Sequence, residues 1–263
     1  MNTLLKHEIK TNLKLVIIWF VCVAGMGFAC ILMFSGMEED MEEMAQGFAS
    51  MGAFADAFGM SSLSIGTLVG FYATEIGVIH SLGGSMFGAI VSTTMLSKEE
   101  DGHTGEFLLT LPLNRNKVVL AKWIAVIVLI ALFNLGCTAV YVLGFFAVGE
   151  EIPTREYITF HGMQFMLHLE IAALCYAVSA FSKKNKLGVG MGIVLLSYAY
   201  DLMARVIPDL KDFIAVSPFS YANASDIFSK ADFRYEAVII GIVVIVVSLG
   251  TAFVHYNRKD MAS

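Results

Sequence analysis

Charge is scarce in this 263-residue chain: 15% of its residues are charged, 57% are hydrophobic, and the mean hydropathy is +0.72. A soluble domain carries about 25% charged and roughly 45–50% apolar residues, so a water-facing fold is excluded. Proline is scarce too, at four, which leaves little room for a disordered linker. The four cysteines, Cys22, Cys30, Cys137 and Cys175, all sit inside hydrophobic blocks, with no CxxC and no His at ligand spacing. They read as small packing residues, not as a disulfide framework or a zinc site. No GxxxxGK[ST] loop occurs, nor any Gly-Lys dipeptide, so the chain lacks the means to hydrolyse ATP itself. HExxH is missing as well, and no internal repeat marks an inverted-repeat secondary transporter. The first apolar block, Leu15 to Met37, is uncharged throughout and longer than a signal-peptide core, and no small-x-small cleavage site of the usual kind follows it. A cleavable signal is therefore not expected.

What is present is a set of long apolar blocks. A helix needs about 20 apolar residues to cross the hydrocarbon, and six stretches qualify: 15–34, 65–96, 118–148, 157–181, 187–207 and 237–254. The second is longer than a crossing requires, which implies tilt, a kink or extension beyond the bilayer. The expected fold is an all-α integral membrane protein with six transmembrane helices, and residues 1–263 form a single transmembrane domain.

Positive charge gives the sidedness, because cytoplasmic loops retain Lys and Arg. Lys6, Lys10 and Lys14 precede the first span. Lys98, Arg115, Lys117 and Lys122 surround the second connection. Lys183, Lys184 and Lys186 lie between spans four and five, and Arg258 and Lys259 follow the sixth. Twelve of the 17 basic residues thus fall on one side. The stretch from Ser35 to Ser64 has no Lys or Arg but carries Glu38, Glu39, Asp40, Glu42, Glu43 and Asp56. Both termini are expected in the cytoplasm, in the cell membrane. Residues 1–14 alternate Leu4, Leu5, Ile9 and Leu13 with the three lysines at helical intervals. That suits an N-terminal interfacial helix; a cytoplasmic extension of span one is the alternative. Residues 208–236 mix prolines, phenylalanines and charges, and are expected as a half-buried outer segment. Gly66/Gly70, Gly84/Gly88 and Gly188/Gly192 recur at four-residue spacing and suit close helix packing, within the chain or between copies.

The connection from Ser97 to Lys122, SKEEDGHTGEFLLTLPLNRNKVVLAK, is more than a polar link. Phe107, Leu108, Leu109 and Leu111 follow the acidic run Glu99, Glu100 and Asp101; Thr104 suits a helix cap and Pro112 a helix stop. A short helix offering Phe and Leu to the cytoplasm needs a partner or the membrane to cover it.

This stretch resembles the ABC-2 type permease family, the membrane subunits of ATP-binding-cassette exporters. The residues carrying the resemblance are Glu99, Glu100, Gly102, Thr104, Glu106, Phe107, Leu108, Leu109, Leu111, Pro112, Arg115 and Lys122. The basic start, the six-span plan, the polar segment before span six and the basic YNRKD tail extend it over nearly the whole chain. His103 and Gly105 depart from the pattern, in which an aliphatic residue is more usual at position 105. The resemblance implies that residues 97–117 are a cytoplasmic coupling loop whose helix docks on an ATPase subunit. Glu99, Glu100, Gly102, Thr104, Glu106, Phe107, Leu108, Leu109, Pro112 and Arg115 would make the coupling surface. It implies further that two ABC ATPase subunits hold ATP and Mg, that this chain binds no cofactor, and that a second permease, an identical copy or a close paralogue, completes the bundle. An amphipathic or hydrophobic substrate would be exported: a peptide or toxin, a drug or a lipid-like molecule. Sensing or immunity toward antimicrobial peptides without transport is an alternative from the same family.

Ionisable residues at membrane depth are costly and face cavities or partners. Glu75, His80, His168 and Glu170 are candidates for the substrate path or for hydrogen bonds between helices. His161 and His168 share a face but lack a third ligand at supporting spacing, so no metal site is expected. Asp201 and Arg205 are four apart and suit an ion pair on one helix. An intramembrane His/Glu enzyme would need a catalytic constellation that these spacings do not supply, and no nucleic-acid partner is expected.

Overall fold

The computed structural model describes residues 1–49, 51–52, 55, 60, 63–104, 114–230 and 233–259. Among them there is no strand, and six helices are long and apolar enough to cross a membrane. These are α1 (Asn2–Phe34), α3 (Leu68–Met95), α5 (Arg115–Val148), α6 (Thr154–Phe181), α7 (Leu187–Val206) and α10 (Tyr235–Arg258). Shorter elements connect them: α2 (Glu38–Ala49), α4 (Lys98–Asp101), α8 (Pro208–Lys211) and α9 (Ala224–Lys230).

The helix ends follow local chemistry. Asn114 caps α5 by accepting the Lys117 N–H at 2.9 Å, and Gly149 ends it in the left-handed region at φ +79°, a conformation that favours glycine at this position. Pro208 stops α7, because the residue before a proline is pushed out of the helical region, and Ile207 is extended at ψ 115°. Within α3 the ladder widens to one π-helical turn over Tyr72–Ile76. At 1.5 Å per residue α1 and α5 are each about 50 Å long, against a hydrocarbon core of about 30 Å, so both are longer than a crossing of that core requires.

Residues 1–14 correct one expectation. They are not a separate interfacial helix but the first turns of the unbroken α1. The physical reason is Glu8, which is fully buried and ion-paired to Lys98 and Lys122. That pairing holds the basic segment against α5 in place of an interfacial course.

Three helices fill the interior. α6 lies between α3 and α10, and α5 lies between α3 and α1. Glycines set the closest approaches. A Cβ on Gly136 or Gly144 of α5 would meet Phe20 or Ile31 of α1 at 2.9 and 2.8 Å, and one on Gly84 of α3 would overlap the His168 ring of α6. Gly188 and Gly192, by contrast, have nothing within 4 Å of such a Cβ. Tyr72 centres the core, ringed by Tyr141, Phe145, Tyr157, Phe160 and Phe228 with centroids 5.2–6.2 Å away. The outward faces of α1, α7 and α10 present Ile17, Val21, Leu196, Ile239, Val243 and Val246, apolar surface of the kind lipid or a neighbouring helix accepts.

The segment after α7 is half-buried in two parts, mostly exposed over residues 208–213 and mostly buried from Ile214 on. Ile214, Phe219, Tyr221, Ala222 and Ile227 are all buried. Gln164 of α6 donates to the Ala222 carbonyl at 2.8 Å and to Ser81 Oγ at 2.7 Å. Irregular backbone at this depth is tolerated where protein covers it and side chains take up its polar groups.

Candidate functional site

Both chain ends and the second and fourth connections meet at one end of the bundle, around α4. Ser179 Oγ of α6 accepts the N–H groups of Leu96 and Ser97 at 2.9 and 3.1 Å, which fixes the end of α3 and starts α4 from a set point. From there four consecutive side chains reach four different elements. Lys98 pairs with Glu8 of α1, and Glu99 Oε1 receives Lys122 Nζ of α5 at 2.5 Å. Glu100 pairs with Lys259, just past α10, and Asp101 Oδ2 accepts the Asn185 N–H of the α6–α7 connection at 3.4 Å. Lys122 is fully buried and also donates to Glu8 Oε1 at 2.9 Å and to the Met95 carbonyl at 2.8 Å. Lys259 donates a further bond to the Ser182 carbonyl at 2.7 Å. Arg115 Nη1 reaches the Tyr256, Asn257 and Lys259 carbonyls at 3.3, 3.2 and 2.5 Å.

The sequence-expected coupling residues therefore divide. Glu99, Glu100 and Arg115 are structural ties at the base of the loop. Gly102 closes α4 with its N–H on the Lys98 carbonyl, and the Thr104 N–H returns to the Glu99 carbonyl at 2.7 Å. The reversal between them falls on His103, at φ +53°. Glu106, Phe107, Leu108, Leu109, Leu111 and Pro112 lie outside the described residues. Glu8 and Lys122 are the members that sequence reasoning did not bring together. The available signal was that Glu8 is the sole acidic residue before Glu38.

Mid-bundle, the polar residues form hydrogen bonds between helices. Asn134 Oδ1 of α5 accepts from His80 Nε2 of α3 at 3.2 Å and His168 Nδ1 of α6 at 3.1 Å. His161 Nε2 meets the Tyr72 hydroxyl at 2.9 Å. The three imidazoles are buried, with the His80 ring centre 5.2 Å from His161 and 5.4 Å from His168. Among the described residues no group of His, Cys, Asp or Glu is arranged to hold a metal ion.

The four candidates for the substrate path do not converge. His80 and His168 share Asn134, Glu170 accepts the Tyr221 hydroxyl at 2.8 Å, and Glu75 is exposed on the π-helical turn. The Asp201–Arg205 pair forms at 2.8 Å, and Arg205 takes a second carboxylate, Asp226, at 3.0 Å. Beside Asp201 a cavity of about 30 Å³ opens between α3, α7 and residues 219–225. Ligand pockets for drug-sized molecules run to about 300–1,000 Å³. At about 30 Å³ the cavity is too small for an amphipathic substrate.

Comparison with curated proteins finds no match. The family model described as ABC-2 family transporter protein matches residues 2–261, nearly the whole chain. Its members are the membrane subunits of ABC transporters and work with an ABC ATPase subunit. Six apolar helices, an interior tied by inter-helix hydrogen bonds, and a charged end around the second connection suit such a subunit, and the chain belongs to the ABC-2 transporter family as a multi-pass membrane protein.

Proposed function

We propose that this chain is the permease of an exporter in which its charged end, with both termini, faces the cytoplasm and residues 97–117 dock on the ATPase. The observation that carries this reading is the meeting at α4 of the lysine-rich connections, the two chain ends and the base of the expected coupling loop. Twelve of 17 basic residues belong to that end, as the positive-inside rule requires of a cytoplasmic face. ATP binding on two ATPase subunits would draw two docked loops together and favour one of two bundle arrangements. For that bias to exist the two arrangements must differ in their contacts with the ATPase.

The substrate we assign is amphipathic or hydrophobic. The cavity beside Asp201 is too small for one, whereas α1, α7 and α10 present broad apolar faces. A path at the seam between two permeases, identical or closely related, fits both facts. His80, His168 and Asn134 then hold the bundle together, and Glu75, exposed on its π-helical turn, is the better candidate for meeting substrate.

The docking claim is tested by co-purification with an ATPase chain bearing a P-loop, and by that chain's ATPase rate with and without the permease. Phe107→Asp, placing a charge on the apolar face of the loop, is expected to abolish both association and stimulation. Unchanged complex formation and unchanged stimulation would overturn the assignment.

A further inference from the structure

We propose that the α4 turn, Lys98–Asp101, is the element that distributes motion of the coupling loop to the bundle, with Lys122 and Lys259 as its two positioning residues; this rests on the docking reading above. Successive residues on a helical turn point about 100° apart, so one turn addresses separate neighbours. Here the four side chains reach α1, α5, the residue following α10, and the α6–α7 connection.

The four ties differ in stiffness. Lys122 has no exposed surface and joins Glu99 to Glu8 and to the Met95 carbonyl, so it locks the turn to α1, α5 and the end of α3 together. Lys259 is nearly as buried and joins Glu100 to the Ser182 carbonyl at the end of α6. Separating either ammonium from its carboxylate would strand a charge away from water, so displacement of the turn carries these partners along. Lys98, with 30% of its side chain exposed, and the 3.4 Å Asp101–Asn185 bond are the compliant ties. The geometry points to two arms: one through Lys122 into α1 and α5, one through Lys259 into α10 and α6.

The test is hydrogen–deuterium exchange on the permease–ATPase complex in lipid nanodiscs, with and without ATP and vanadate. Residues 105–113 report docking, 2–14 the first arm and 182–186 the second. In the unmodified complex all three should respond. Glu99→Gln/Lys122→Met removes both charges of one tie and leaves Glu8 with Lys98. In it the response at 2–14 should fall sharply, with only the compliant Lys98–Glu8 tie remaining, while those at 105–113 and 182–186 persist. Glu100→Gln/Lys259→Met should give the converse, sharply weakening 182–186, where only the long Asp101–Asn185 bond remains, and keeping 2–14, and decides the matter alone if the first variant does not accumulate. A response at 2–14 undiminished in the first variant, or either variant silencing both arms together, would overturn the proposal. Absence of any protection at 105–113 in the unmodified complex would instead refute the docking reading.

Discussion

Removing Lys122 should destabilise the protein far more than removing Lys98, although both lysines pair with the same carboxylate. Lys122 is fully buried, with Glu8 at 2.9 Å and Glu99 at 2.5 Å. At an effective dielectric of about 20, two unit charges 2.9 Å apart attract by about 6 kcal/mol. Desolvation of the ions offsets much of this, so the net worth of the tie is smaller. The cost of breaking it is not, because Lys122→Met leaves Glu99 without its cation. Loss of one partner from a buried pair costs about 3–5 kcal/mol. Lys98 has 30% of its side chain exposed, and Glu8 keeps Lys122 when Lys98 is lost. Lys98→Met should therefore cost about 0–1 kcal/mol, as partly solvated pairs do. Glu99→Gln/Lys122→Met should recover much of the single-mutant loss, since no unpaired charge remains at that tie. The assay is thermal survival of the monodisperse peak in mild detergent for the four proteins side by side. Equal losses for Lys98→Met and Lys122→Met, or a double variant worse than Lys122→Met, would refute the reasoning.

The bundle interior yields three further predictions. Gly84→Ala should lower thermal survival by about 1–3 kcal/mol through overpacking against His168, whereas Gly188→Ala and Gly192→Ala meet nothing within 4 Å and should leave it unchanged or slightly raised. Loss of coupled activity in the latter two, with stability intact, would locate their role between chains. Asn134→Leu takes the shared acceptor from His80 and His168; for buried groups left unsatisfied the expected cost is about 1–3 kcal/mol, read by the same assay. Tyr221→Phe removes the hydroxyl that Glu170 accepts. With Glu170→Gln in the background, which keeps an acceptor but no charge, the effect of Tyr221→Phe should shrink.

Much of the architecture was legible because hydropathy and length determine which blocks cross a bilayer. The spans expected at 118–148 and 157–181 begin three residues later than α5 and α6, because Asn114 and Pro153 cap those helices outside the apolar block. The Asp201–Arg205 pair was legible from i, i+4 spacing alone, but Asp226, 21 residues on, was not. The same limit hid the charged hub. Lys122 meets Glu8 across 114 positions and Lys98 meets it across 90. A lysine opening a span also reads as one whose head snorkels to the interface. The lysines of residues 1–14 suit an interface, but the one acid among them, Glu8, decides how they pack. The histidines were legible as intramembrane polar groups, yet their shared partner Asn134 carries no charge to mark it in an apolar run.

The central claim is that residues 97–117 and the chain ends face the ATPase. A photo-activatable thiol cross-linker tests it most directly, attached at Phe107→Cys or at Ser35→Cys at the other end of α1, with Cys22, Cys30, Cys137 and Cys175 replaced. The account predicts cross-links to the P-loop-bearing chain from position 107 and none from position 35. Capture of that chain from position 35, or failure at 107 within an intact complex, would contradict it.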